Sequence, residues 1–168
     1  MEKRKRGFTI IELIVVMTII LILAGLITGA AQKAKQRAMV AQAKSMIVGL
    51  ETALGMFQTD LGGYPDSGNA NLVTALTTVG GTYTIGTAAG NAVTTTAGWA
   101  GPYMNFKQGD LISGQIVDPW GDAYVYGPGT NHTGSSGPDY TGYIDIYSQG
   151  PDKSGDGTDA DDITNWKR

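Results

Sequence analysis

The chain has 168 residues, 42% hydrophobic and 16% charged, with a formal charge of −3, one His and no Cys. Without cysteine there is no disulfide, thiolate metal site or thiol nucleophile, and His132 alone cannot build a multi-histidine zinc site. The acidic balance leaves no basic stripe to neutralise phosphates, which excludes a nucleic-acid partner. The length fits one globular domain plus an appendage.

The chain opens with MEKRKRG, four basic residues and one acidic. From Phe8 to Ala31 follow 24 residues in which Glu12 is the only charge. As a helix at ~1.5 Å per residue this run is about 36 Å long, enough to cross a ~30 Å hydrocarbon core. A domain this small cannot cover such a helix on all sides, so a membrane helix is expected rather than a core helix. A cleaved secretory signal fits poorly: its apolar region is roughly 7–15 residues, with small residues after it. Here the run is longer, and the processing-like Gly7 precedes it. The basic head favours a cytoplasmic N-terminus, although Lys33, Lys35 and Arg37 flank the other end and weaken the asymmetry.

A carboxylate at Glu12 is costly inside lipid. It either sits at the interface among headgroups or finds a partner cation. If the chain is cut after Gly7, the new α-amine on Phe8 of a neighbouring copy is such a cation, and no partner is expected within Glu12's own chain. Gly7-Phe8-Thr9-Ile10-Ile11-Glu12-Leu13, behind a basic leader and ahead of a long apolar helix, resembles the class III signal of type IV pilins and pseudopilins. That resemblance implies cleavage between Gly7 and Phe8 by a prepilin peptidase, N-methylation of Phe8, and packing of helices into a filament. It also implies that Glu12 pairs with a neighbouring subunit's terminal amine.

From Gln32 the run turns amphipathic, with Met39, Ala43, Met46, Leu50, Leu54 and Phe57 at helical spacing on one stripe. This stripe is expected to pack on a globular domain. Gly25, Gly29, Gly49 and Gly55 are weak points in the helix. Gly25 and Gly29, four apart, permit close helix contact. Pilin relatives often carry proline where Gly29 stands. Gly62-Gly63 and Tyr64-Pro65 should end the helix. Phe57, Asp60, Gly62, Tyr64 and Pro65 resemble the corresponding turn of major pseudopilins.

Asn71 to Thr77 reads as a short helix through Leu72, Val73 and Leu76. Thr78 to Gly98 is a Gly/Ala/Thr-rich tract, read as a loop holding one hairpin and longer than the usual family connection. Tyr124 to Tyr126 and Tyr143 to Tyr147 carry strand composition, and Gln115 to Val117 can add an edge. Residues 127–142 between them read as a long turn, where His132 is a solvated polar residue. Asp118-Pro119-Trp120-Gly121 is a turn expected to place Trp120 on the sheet, and with Tyr124-Val125-Tyr126 it again resembles the major pseudopilins of type II secretion.

Cleavage after Gly7 would leave 8 basic and 14 acidic residues, a net charge of −6. Ten of those acids lie from Asp110 onward, and Asp152, Asp156, Asp159, Asp161 and Asp162 fall in one stretch. Such a cluster is either a solvated tail or a cation site. Asp152, Ser154, Asp156 and Gly157 match the first half of an EF-hand-like loop. Ile163 then replaces the closing glutamate and no second helix follows, so a single calcium loop fits better than an EF-hand. Calcium suits it better than magnesium, which needs a tighter octahedron.

Ser148-x-Gly150-Pro151-Asp152, Asp161-Asp162-Ile163 and Asn165-Trp166 resemble the calcium loop that ends major pseudopilins. The resemblance implies Ca2+ held by Asp152 and Asp161 first, then Asp162, with main-chain oxygens near Gln149 and Ser154. The loop is about two residues longer than the common form, which leaves Asp156 and Asp159 as further candidates. A calcium clasp would do here what a disulfide does in many pilins.

The expected architecture is α+β: a long N-terminal helix packed on a small antiparallel β-sheet, pilin-like. Residues 1–7 form the leader, 8–31 the membrane and filament-core helix, and 32–168 the periplasmic domain. The expected role is structural rather than enzymatic: a pseudopilus subunit that drives type II secretion from the inner membrane. Its partners would be its own copies, minor pseudopilins, a prepilin peptidase, the inner-membrane assembly platform and, before assembly, lipid. An adhesive or motility pilin, and a membrane-anchored calcium-dependent binding module, are the competing readings.

Overall fold

The computed structural model describes residues 7–80, 82–86, 92–96, 101–128, 144–155, 157 and 159–166. Leader residues 1–6, Asp156, most of the long turn with His132, Tyr143, and parts of the Thr78 to Gly98 tract lie outside the described residues. By contacts the chain forms two compact units, Met1–Ala38 and Met39–Arg168.

The first unit is helical. Helix α1 (Ile10–Leu61) starts here, and its most apolar 18-residue window has a mean hydropathy of 3.0 with none of it buried. Phe8 and Ile10 are 81% and 82% exposed, and the apolar side chains from Ile11 to Leu23 are likewise bare. A helix apolar on every side has no seam to bury against its own chain. By length and composition it can cross a membrane.

In the second unit α1 becomes one-sided. Ala43, Ile47, Leu50, Ala53, Leu54 and Phe57 are buried, while Val48 and Met56 lie on the open side. The predicted stripe is thus present from Ala43 to Phe57 and wider than expected. Ile47 and Ala53 join it, and Met39 and Met46 are only half-buried at its margins. Helix α1 stops where predicted: Gly62 takes φ 80° and its N–H reaches the Gln58 carbonyl at 2.8 Å. Glycine adopts this left-handed geometry without a Cβ clash, which is why it ends helices so often.

Strand β1 (Tyr64–Pro65) follows, then α2 (Asn69–Thr77), which begins two residues before the predicted start. Strands β2 (Thr82–Gly86) and β3 (Ala92–Thr96) form the hairpin expected within the Gly/Ala/Thr tract. Next come β4 (Leu111–Ile112), β5 (Gln115–Ile116), β6 (Val125–Pro128), β7 (Ile144–Ser148) and β8 (Ile163–Thr164). The predicted Gln115 edge is β5, and Val117 adds a bridge to Ala123.

The class is α+β, but among the described residues the single sheet expected is three small antiparallel ones, ordered β1-β2-β3, β4-β5 and β6-β7-β8. Strands of two to five residues separated by Gly and Pro cannot extend into one continuous ladder. What unites the layers is the core beneath them. Leu50 and Leu54 of α1 share a cluster with Leu72 and Leu76 of α2, Tyr126 and Ile146 of the β6-β7-β8 sheet, and Ile163. Trp120 packs at its edge, as predicted for the DPWG turn. A second cluster centres on Phe57, whose ring meets Tyr83 edge-on at 5.4 Å and Tyr103 at 5.6 Å.

Asn69 is the polar joint of this core. Its side chain donates to the Ile116 and Tyr124 carbonyls at 2.9 and 2.8 Å and accepts the Ile116 N–H at 2.6 Å. One amide thereby bonds three main-chain groups of two segments, beside the Tyr124 N–H that the Ile116 carbonyl also accepts at 3.0 Å; a buried main-chain group left without a partner costs about 1–3 kcal/mol.

Candidate functional site

Two groups of predicted residues carry the functional question, one in each unit. At the start of α1, Thr9 and Glu12 form a reciprocal cap. Thr9 donates its N–H (3.0 Å) and its hydroxyl (2.8 Å) to Glu12 Oε2, and the Glu12 N–H approaches Thr9 Oγ1 at 3.4 Å. The spacing Thr-x-x-Glu is the capping box, in which two orphan donors of a helix start are satisfied together. This corrects the expectation that Glu12 lacks a partner in its own chain. The partner is a neighbouring hydrogen-bond donor, not a cation. Both bonds fall on Oε2, and the negative charge stays uncompensated among the described residues. Phe8, Ile11, Glu12, Val15 and Val16 line one shallow apolar depression, so the carboxylate opens onto greasy surface. Gly7 has open space around it.

In the second unit, the DPWG turn and the acidic loop are built against each other. Buried Asp118 accepts the N–H groups of Trp120 and Asp122 on Oδ1, both at 2.9 Å, and the Ser148 hydroxyl on Oδ2 at 2.6 Å. Ser148, at the end of β7, in turn accepts the Gly150 N–H at 3.1 Å. Lys153 reaches back to the Trp120 carbonyl and to Asp122 Oδ2, each at 2.8 Å. Lys153 is therefore engaged on the DPWG side of the loop.

Asp162 holds the far side of the loop. It is 7% exposed, and its Oδ2 accepts the N–H groups of Gly157 and Asp159, both at 3.0 Å. Its Oδ1 is buried without a hydrogen-bond partner among the described residues. Gly155, at φ 133°, lies over this carboxylate, where a Cβ would stand 2.6 Å from Oδ1. Gln149 closes the same side by donating to the Gly155 carbonyl at 3.0 Å. Asp161 packs by its carbonyl and carboxylate against Gly150. Asp152 is exposed and accepts the Ser154 N–H at 3.0 Å, and Asp159 is exposed as well.

The structure thus brings Asp162, Gln149 and Gly155 together and sets Asp161 beside Gly150. Asp152, Ser154 and Asp159 lie on the outer part of the loop. Among the described residues no three Asp, Glu, His or Cys side chains converge in a group that could hold a metal ion. The donor set suits a hard cation all the same, because a buried carboxylate oxygen with no donor is costly unless something positive meets it.

Beyond the loop, Asn165 extends the β7-β8 pairing. It exchanges bonds with Ile146 through both main chain and side chain, and its Nδ2 also reaches the Ile144 carbonyl and Glu51 of α1. Trp166 meets Tyr147 edge-on at 5.9 Å. Asn69, Asp118, Ser148 and Lys153 escaped the sequence reading as joints of this unit. Only the Thr-x-x-Glu spacing of the cap was visible in advance.

A family model described as type II secretion system protein G matches residues 30–166, and one for the prokaryotic N-terminal methylation motif matches residues 3–28. The type II secretion system core protein G of Dickeya chrysanthemi is 34% identical over 169 residues, covering 99% of this chain and 89% of that relative. The same protein of Escherichia coli K12 is 33% identical, with 97% and 92% covered, and that of Aeromonas hydrophila 34%, with 98% and 94%. A crystal structure of the major pseudopilin from the type 2 secretion system of enterohaemorrhagic Escherichia coli aligns at TM-score 0.45 and 25% identity, covering 80% of this chain and 87% of that one. From the methylation motif to the last tryptophan, the chain belongs to the type II secretion system protein G family.

Proposed function

We propose that this chain is the repeating subunit of a pseudopilus that grows from the inner membrane and drives secreted proteins outward. The observation that carries this reading is the capped apolar helix start. Side chains from Phe8 to Leu23 are exposed on every side, with one carboxylate, Glu12, held by Thr9 and facing that surface. Lipid can cover such a helix before assembly, and the helices of other copies can cover it afterwards. Cleavage between Gly7 and Phe8 by a prepilin peptidase, followed by N-methylation, would give each subunit an amine for the next subunit's Glu12. Thr9 then acts before assembly, holding the carboxylate at the helix start while no amine is present. Residues 32–168 lie in the periplasm in this reading. Minor pseudopilins and the inner-membrane assembly platform are the other partners, and the chain itself supplies no catalysis.

In the same reading the C-terminal loop binds calcium. The support is the buried, donorless Oδ1 of Asp162 under Gly155. Asp161 and Asp152, with Asp156 and Asp159 as further carboxylates and main-chain oxygens near Gln149 and Ser154, would complete the shell. The ion would supply positive charge alone, fastening the last strand to the domain.

Two substitutions at Glu12 test the assembly reading. Glutamine keeps the capping box, since Gln serves as well as Glu at this position, but carries no charge. Glu12→Gln should leave the protein in the membrane with a normal helix and abolish filaments, as should Glu12→Ala. Filaments of normal abundance from Glu12→Gln would show that the cap, not the charge pair, is what assembly uses.

A further inference from the structure

We propose that β3 is an open pairing edge through which two copies of this chain join, antiparallel and two-fold symmetric. Pairing at this edge needs no filament, but the charge that selects the partner rests on the leader cleavage proposed above. The sheet order β1-β2-β3 leaves β3 outermost, paired only with β2 among the described residues. Its register is regular over five residues, from Thr82↔Thr96 to Gly86↔Ala92. Edge strands are ordinarily protected by lysine, proline, a bulge or extreme shortness. Ala92–Thr96 has none of these, and residues 67–106 contain no charged side chain at all, a run of 40 in a chain with 27 charged residues.

Charge selects the occupant. After loss of the leader the chain carries −6, with ten of its acids from Asp110 onward, so copies repel one another over most of their surface. A neutral edge whose outer main-chain groups have no strand partner among the described residues is where two such copies can approach, and a strand identical to its partner satisfies both at once. The partner we assign is therefore a second copy of this chain, joined through β3 into a six-stranded sheet. Such a pair needs a two-fold axis across the strands. A polar helical filament has none, so the pair forms between subunits held in the membrane or between neighbouring filaments.

The absence of cysteine makes the test direct. In an antiparallel pair, directly opposed Cα atoms lie about 4.5–5.5 Å apart, within the roughly 4.4–6.8 Å that a disulfide spans. Val93→Cys, Thr94→Cys and Thr95→Cys, each in the full chain in native membranes and oxidised mildly, should give disulfide dimers. At least one should exceed Ala70→Cys, on the exposed side of α2, several-fold. Adding Thr94→Lys to the strongest of them should remove the excess, because like charges then oppose each other across the axis, while Thr94→Ser should keep it. Repeating the scan on Glu12→Ala shows which pool holds the pair: persistence places it among membrane-held subunits, loss places it between filaments. Cross-linking no greater than Ala70→Cys in all three variants, or an excess unmoved by Thr94→Lys in a domain with unchanged melting, would overturn the edge pairing.

Discussion

Glu12 and Asp162 make the same local arrangement in opposite surroundings. Each uses one carboxylate oxygen to accept two hydrogen bonds from nearby residues, Thr9 in one case and the N–H groups of Gly157 and Asp159 in the other. At Glu12 the rest of the group is exposed on an apolar helix, whereas Asp162 Oδ1 is enclosed by its own domain. A carboxylate on a helix surface can wait for a cation that arrives with another molecule. An enclosed one must be neutralised inside the fold, or the fold bears the cost. The comparison teaches that the two carboxylates can be met in different ways: Glu12 from outside the chain, Asp162 Oδ1 only from within the fold.

The largest test of that division is in the core. Phe57 is fully buried and bridges Tyr83 and Tyr103. Phe57→Ala should cost about 3–5 kcal/mol, lowering the melting temperature of the second unit by roughly 10–20 °C in calorimetry. Membrane insertion of the first unit should be untouched; failure to insert would show that the units are not separate in stability.

Next comes the ion. Calcium at a hundredfold excess over its Kd should raise stability by about 2.7 kcal/mol. Asp162→Ala should erase that increment, and magnesium at equal concentration should give less of it. Melting curves that ignore calcium would return the loop to a solvated tail and dissolve the contrast with Glu12.

A smaller effect is expected at Lys153, which bridges the loop to the DPWG turn but is half open to water. Lys153→Met should cost about 1 kcal/mol or less without calcium and leave the calcium increment intact. An increment that vanished with it would make Lys153 part of the ion site's support.

The smallest effect is at high pH. Burial, then the hydrogen bond to Asp60, pushes the Tyr103 hydroxyl up to about 12. Between the ordinary value of 10 and about 12 the unfolded chain loses this proton while the folded one keeps it. Stability should therefore fall as pH rises through that window. Tyr103→Phe should flatten part of the slope in denaturant titrations at pH 9 to 12. An unaltered slope would place the titration elsewhere, with Tyr124, Tyr83 and Tyr64, all raised by burial, as the remaining candidates.

What could be read in the sequence follows from how far each signal reaches. The apolar run, the stripe ending at Phe57, the Gly62-Gly63 stop and the strands around Tyr126 and Ile146 are local patterns, and all are present. Asn69 is different: its partners, Ile116 and Tyr124, are 47 and 55 residues away, and nothing beside it announces them. Asp118 and Ser148 meet across 30 residues for the same reason. Breakage into three sheets also depends on packing, because two-residue strands such as β4 and β8 have no periodicity to detect. Thr9 differs again: its Thr-x-x-Glu spacing to Glu12 is a local pattern that marks the cap by itself. At the acidic loop, composition marked the neighbourhood, while the identity of the enclosed oxygen required the fold.

The bond from Asn165 to Glu51 spans 114 positions. Glu51 is synthesised early and Asn165 late, so α1 must carry its stripe through synthesis with β8 not yet delivered. Ile163, part of the core, is equally late. The second unit therefore closes only once the chain is complete, slowed by the length of chain that must loop back before any reward is collected. Until then the stripe from Ala43 to Phe57 is bare, and whatever shields newly made chains from one another has to act in that interval.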